Sequence, residues 1–169
     1  GVGPTGTVDA TTTNHIGATN VGIVCRVMSP AGVFNTANTT VDQNTMNNGW
    51  PEVSYGGGNF LIVWNREFGS TDRDIHGRIA DTTGAFVTSG TIYIENDTQN
   101  QQRPRAAYSN TNSEWLVAYE DSVTGARDIY AKRVSSAGSV VGSEMNVSAN
   151  TVEERWCGLA WNPNTNEML

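Results

Sequence analysis

The feature that most limits what this chain can fold into is an internal repeat. The stretch WPEVSYGGGNFLIVWNREFGSTDRDIHGRIADTTGAFV, residues 50–87, aligns with RPRAAYSNTNSEWLVAYEDSVTGARDIYAKRVSSAGSVV, residues 103–141. Pro51 matches Pro104, Tyr55 matches Tyr108, and Trp64 closing LIVW matches Tyr119 closing LVAY. Arg73, Asp74 and Ile75 match Arg127, Asp128 and Ile129, and Gly84 matches Gly138. The two prolines set a period of 53 residues. Ordered anchors at similar spacing mean one supersecondary unit used again, and such a unit buries its surface only against its neighbours.

Half-units flank the two complete copies. Ile23 to Val27 followed by Gly32 has the spacing of Ile75 to Gly84, with Val21-Gly22 in place of the Arg-Asp pair. At the other end, Cys157 to Trp161 falls one period after Pro104 to Tyr108, and NPNTNEML follows as SNTNSEWL does. The reading is an arm or linker over 1–19, a half-unit over 20–50, complete units over 51–103 and 104–155, and a half-unit over 156–169. The sequence begins without methionine and stops at Leu169 partway through an expected strand. A processed product or a piece of a longer polypeptide is therefore expected.

Each complete unit predicts four short strands. The first covers 52–55 or 105–108, the second 60–64 or 115–119, the third 74–79 or 128–134, and the fourth 91–95 or 144–147. Alternation with β-branched and aromatic residues supports all eight. Gly, Asn, Asp and Ser mark the connections, as in Gly56-Gly57-Gly58 and Ala137-Gly138. No stretch keeps a 3.6-residue apolar period, so little helix is expected. Four strands per unit of about fifty residues is the pattern of β-propeller blades. The expected fold class is all-β, built of four-stranded antiparallel blades, about three blade equivalents with half-blades at the two termini. Three are too few for a ring of about four to eight, so further blades are needed, from the same longer chain or from a second copy.

The pattern RPRAAYSNTNSEWLVAYED…RDIYAKRVSSAG resembles repeats of large bacterial extracellular proteins of the type PAVAYN…YLVVWED…DIYGRRV…G. The likeness covers nearly everything after residue 20. It implies a propeller-like module in a secreted or cell-surface protein. The first copy departs from it at Val21-Gly22.

Composition narrows the partners. A formal charge of −7 with no basic cluster beyond Arg103 and Arg105 argues against nucleic acid, which needs a cationic face. No apolar run approaches the roughly 20 residues that span a bilayer. Twenty threonines, eighteen asparagines and a single lysine suit an extracellular or surface-exposed β protein. Two distant cysteines, Cys25 and Cys157, leave open one disulfide or two buried thiols. His15 and His76 are too few for a metal cluster, and neither a calcium-loop nor a nucleotide-binding motif occurs, so no metal and no cofactor are expected. Three N-x-[ST] sequons begin at Asn38, Asn96 and Asn146.

The propeller reading also names a candidate face. It carries the loops between second and third strands, 65–73 and 120–127, and those leading into first strands, 44–50, 96–103 and 150–156. Trp50, Arg103 and Trp156 hold one equivalent position there. Trp stacks on sugar rings and Arg grips carboxylates, so together with Glu120 and Asp121 they are candidate binding residues; the alternative is packing between blades. Arg73, Asp74, Arg127 and Asp128 recur, which assigns them to structure, because one catalytic centre needs different residues from different blades. Glu67, Glu120, Asp121, Glu153 and Glu154 could supply a carboxylate pair for glycoside hydrolysis. Exposed acidic loop residues are usually solubilising, so no catalytic residue is assigned. The expected function is a non-catalytic extracellular structural, adhesive or assembly module. The alternatives are a carbohydrate-binding or glycoside-processing propeller, and a homo-oligomer in which two chains close a six-bladed ring.

Overall fold

The computed structural model describes residues 7–14, 21–34, 37–123, 125–148 and 152–168, the first of these by backbone pairing alone. Among the described residues, thirteen strands build antiparallel sheets. Strands β1 (Thr7–Asn14), β2 (Val21–Met28) and β3 (Thr39–Asp42) form a first, three-stranded sheet. The second is a four-stranded meander of β4 (Asn47–Gly56), β5 (Asn59–Gly69), β6 (Asp72–Asp81) and β7 (Ile92–Glu95). The third repeats it with β8 (Gln102–Ser109), β9 (Glu114–Asp121), β10 (Asp128–Ser135) and β11 (Val140–Ser148). A short hairpin, β12 (Trp161–Asn162) with β13 (Glu167–Met168), follows. The chain is all-β, and no helix occurs among the described residues.

All eight expected strand runs fall on these strands, apart from Thr91, which precedes β7 by one residue. Three expectations change. Residues 47–50, read as part of a loop leading into a first strand, open β4, where Asn47 to Gly49 pair with Glu67 to Asn65. Residues 7–14, read as part of an arm or linker, form β1 and pair with β2 from Thr7↔Met28 to Asn14↔Val21. Residues 65–73, read as a loop, are mostly ladder, because β5 runs to Gly69 and β6 starts at Asp72. Cross-strand pairing carries the hairpin outward despite its polar sequence: Arg73 Nη2 meets Glu67 Oε1 at 2.9 Å across the ladder, in register Glu67↔Arg73.

The apolar run FLIVW reads as a strand buried on both faces, and β5 is one. Leu61 and Val63 join a cluster with Trp115, Val117, Tyr119 and Tyr130 of the third sheet. Phe60, Ile62 and Trp64 point the other way, into a cluster with Ile23, Cys25 and Val27 of the first. The third sheet repeats this alternation: Ala118, Ile129 and Ala131 face away from the second sheet and meet Cys157 and Leu159. First, second and third sheets therefore stack face to face in chain order, with residues 157–159 against the last open face. Cys25 and Cys157 are free thiols in separate clusters.

The repeat extends to atoms. Gly32, Gly84 and Gly138 each take a left-handed φ, of 79°, 86° and 85°. Each donates its N–H three residues back, to the carbonyls of Ser29, Asp81 and Ser135, at 2.9, 3.0 and 2.9 Å. After the first two turns an arginine lies over a phenylalanine eight residues on: Arg26 over Phe34 at 4.1 Å and Arg78 over Phe86 at 3.6 Å.

Candidate functional site

Both complete meanders open with a β-bulge. The ladder shifts register between Gly49 and Glu52, and again between Gln102 and Arg105. Pro51 and Pro104 stand inside these shifts, where a residue without an N–H leaves no ladder bond unmade. The residues just before them, Trp50 and Arg103, have φ of 44° and 54°. Trp156, one period further, has φ of 63°. Left-handed backbone is rare for bulky residues, so three instances at one repeat position mark a shared device.

The three side chains form a stack. The Arg103 guanidinium carbon lies 4.1 Å from the Trp156 ring centre and 5.0 Å from that of Trp50. Its charge is matched by Glu120, which is completely buried at the end of β9. Arg103 Nη1 donates to Glu120 Oε2 at 2.7 Å, and Arg127 Nη1 lies 3.3 Å from the same oxygen. The other oxygen accepts the Trp156 N–H at 2.9 Å. Glu120 thus ties two cations and the backbone of the following unit. What remains open to a ligand is indole surface: Trp50 is 43% exposed and Trp156 66%.

Trp50, Arg103, Trp156 and Glu120 are therefore brought together, and Asp121 is not. Adjacent strand residues point to opposite faces. Asp121 is buried, receives Gln101 Nε2 at 3.1 Å, and burial pushes its carboxyl up to about 6. Arg73 Nη1 donates to Asn100 Oδ1 at 3.0 Å, and its carbonyl accepts the Gln101 N–H at 2.8 Å. The Arg127 carbonyl accepts the Glu154 N–H at 2.6 Å, the same bond one period on. Asp74 and Asp128 are both buried. Glu153 pairs with Arg155 at 2.7 Å on the surface.

Two buried polar groups escape the repeat pattern. The Tyr119 hydroxyl donates to Glu144 Oε1 at 2.6 Å and lies 3.3 Å from Glu95 Oε2, while Lys132 Nζ pairs with that Glu95 oxygen at 2.5 Å. Burial raises the Glu144 carboxyl; burial also opposes the charged form of Glu95, but the Lys132 bond leaves it below its usual value. The signal was the chain's one lysine at an inward strand position. In the second sheet, His76 lies among Tyr93, Trp64 and Phe68, with ring centres 5.0, 6.0 and 6.2 Å away. Burial lowers its pKa to about 4. Asp74, whose Oδ2 is 3.6 Å from His76 Nε2, is pushed up to about 7 by burial and then by Asp72, Asp97 and Glu95. Among the described residues no group of three or more His, Cys, Asp or Glu side chains is placed to hold a metal ion. The described residues form no helix long and apolar enough to cross a membrane.

No protein-family model, curated protein or solved structure matches this chain.

Proposed function

We propose that this chain is a non-catalytic extracellular or cell-surface module: three consecutive blades of a β-propeller, used in assembly or adhesion. The observation that carries the reading is the left-handed position at Trp50, Arg103 and Trp156, recurring where each innermost strand begins and joined by one guanidinium. Radial stacking supports it as well, since each meander covers the face of its predecessor. Glu120 fits the non-catalytic part. Both its oxygens are engaged by protein groups, and a general acid or nucleophile needs at least one facing substrate. Turnover on a panel of polysaccharides is expected to be absent; turnover that disappears in Glu120→Gln overturns the reading.

One observation favours glycan binding by the same module. The exposed indoles of Trp50 and Trp156 flank the Arg103 guanidinium, and indole faces stack on sugar rings. Arg103, already paired, would act as the stack's spine rather than as an anion clamp. A glycan array probed with wild type and Trp156→Ala decides this: signal lost in the variant supports it, and a blank array with wild type removes it.

A further inference from the structure

The stack has two open faces, and they are complementary by repetition. Val41, Ile94 and Val147 occupy one position of the fourth strand at successive periods. Val41 and Ile94 are 3% and 1% exposed because the second and third sheets cover them; Val147 is 60% exposed. Met145 follows the same rule against buried Ile92. Below them, Leu116, Ala118, Ile129 and Ala131 line an apolar cleft of about 430 Å³ that residues 157–159 only partly fill. The opposite end shows the reverse. Phe86 packs into the cluster between the first and second sheets, whereas its equivalent Phe34 is 46% exposed. Tyr108 is buried against Gly56, whereas its equivalent Tyr55 is exposed.

From these faces we infer that a second copy of this chain covers them, head to tail, and that two copies close a ring of six sheets. This rests on the propeller reading above. Val41 and Phe86 share the cluster between the first two sheets, so the second copy's Phe34 would meet Val147 as Phe86 meets Val41. The new contact thus continues an interface that the chain already makes twice. Among the described residues the first sheet has no strand in the place that β4 and β8 hold. Residues 156–162 carry that place's signature, left-handed Trp156 followed by β12, and can supply it to the second copy. In the closed ring Trp156 of one copy neighbours Trp50 of the other. A head-to-tail interface makes a finite assembly only if its rotation closes, and six blades lie within the range of about four to eight that propellers use.

The test uses the full chain and two surface variants, Phe34→Glu and Val147→Lys, at positions exposed enough to leave each chain folded. Light scattering after gel filtration is expected to give twice the chain mass for wild type. Each variant alone is expected to weaken association at least about a hundredfold, as an unpaired buried charge does. An equimolar mixture is expected to recover dimer, because a mixed pair has one Glu–Lys interface and one unaltered interface. A wild-type monomer overturns the second-copy inference and leaves the propeller reading standing, with its remaining blades supplied elsewhere. A dimer indifferent to both substitutions overturns it too. Negative-stain images separate the two ideas: a dimer sensitive to both substitutions but showing no six-lobed ring overturns the propeller reading itself.

Discussion

At the scale of single residues, Glu120 is a buried carboxylate held by two guanidiniums and a backbone N–H, whereas burial opposes the charge of Asp74. Glu120 is fully buried and pairs with two largely buried guanidiniums, so removing its charge leaves both without their carboxylate. Glu120→Gln is expected to lower unfolding free energy by about 3 kcal/mol, read as a shift in urea midpoint at unchanged slope. Asp74 holds its proton up to about pH 7 in the fold, whereas the unfolded chain releases it near 3.8. Folding therefore takes up a proton between these values. The contribution favours the fold at acid pH and is lost as pH rises through about 7. His76 slopes the opposite way, since its folded value near 4 lies below its ordinary 6.5. Asp74→Asn keeps the histidine and removes the carboxyl. Its melting temperature is expected to exceed that of wild type by about 2–4 °C at pH 8, with the gap closing towards pH 4. An unchanged gap across that range would show that Asp74 does not titrate as described.

Among the elements, the contact between β4 and β8 sets how closely the second and third sheets approach. A Cβ built on Gly56 would lie 1.9 Å from Cγ of Tyr108, inside the buried cluster. Gly56→Ala must push that ring aside, at a cost of about 1–3 kcal/mol. Combining it with Tyr108→Leu is expected to cost less than the sum of the two single changes in chemical denaturation. Strand positions were legible because FLIVW, LVAY and the Gly84 and Gly138 turns each carry a local signature: two-faced burial, β-branching, a left-handed glycine. The Trp50–Arg103–Trp156 equivalence was legible as well, from the period alone. What lay beyond the sequence was pairing across space. That Glu120 would be closed and Asp121 turned away depends on one residue of strand phase at the end of β9. The Glu95–Lys132–Glu144 cluster depends on which strands of two sheets face each other. Residues 7–14 escaped because a Thr-rich run with few apolar side chains becomes a strand only when β2 offers its edge.

For the molecule as a whole, stability is set by neighbours. Each sheet has its own hairpin ladders, but the two larger apolar clusters belong to pairs of sheets. The second sheet has two such partners and the first has one, so sheets should differ in how readily they open. That grading reaches the backbone amides. In β5, residues 60–64 are covered on both faces and flanked by strands on both edges. Their amides are expected to be the last in the chain to trade hydrogen for deuterium, at the rate of global unfolding. Those of β12 and β13, joined by two residue pairs, should exchange orders of magnitude sooner. Time-resolved exchange read by mass spectrometry would show the order. The stack then behaves as a clock that runs fastest at its rim and slowest along one five-residue line of its middle sheet.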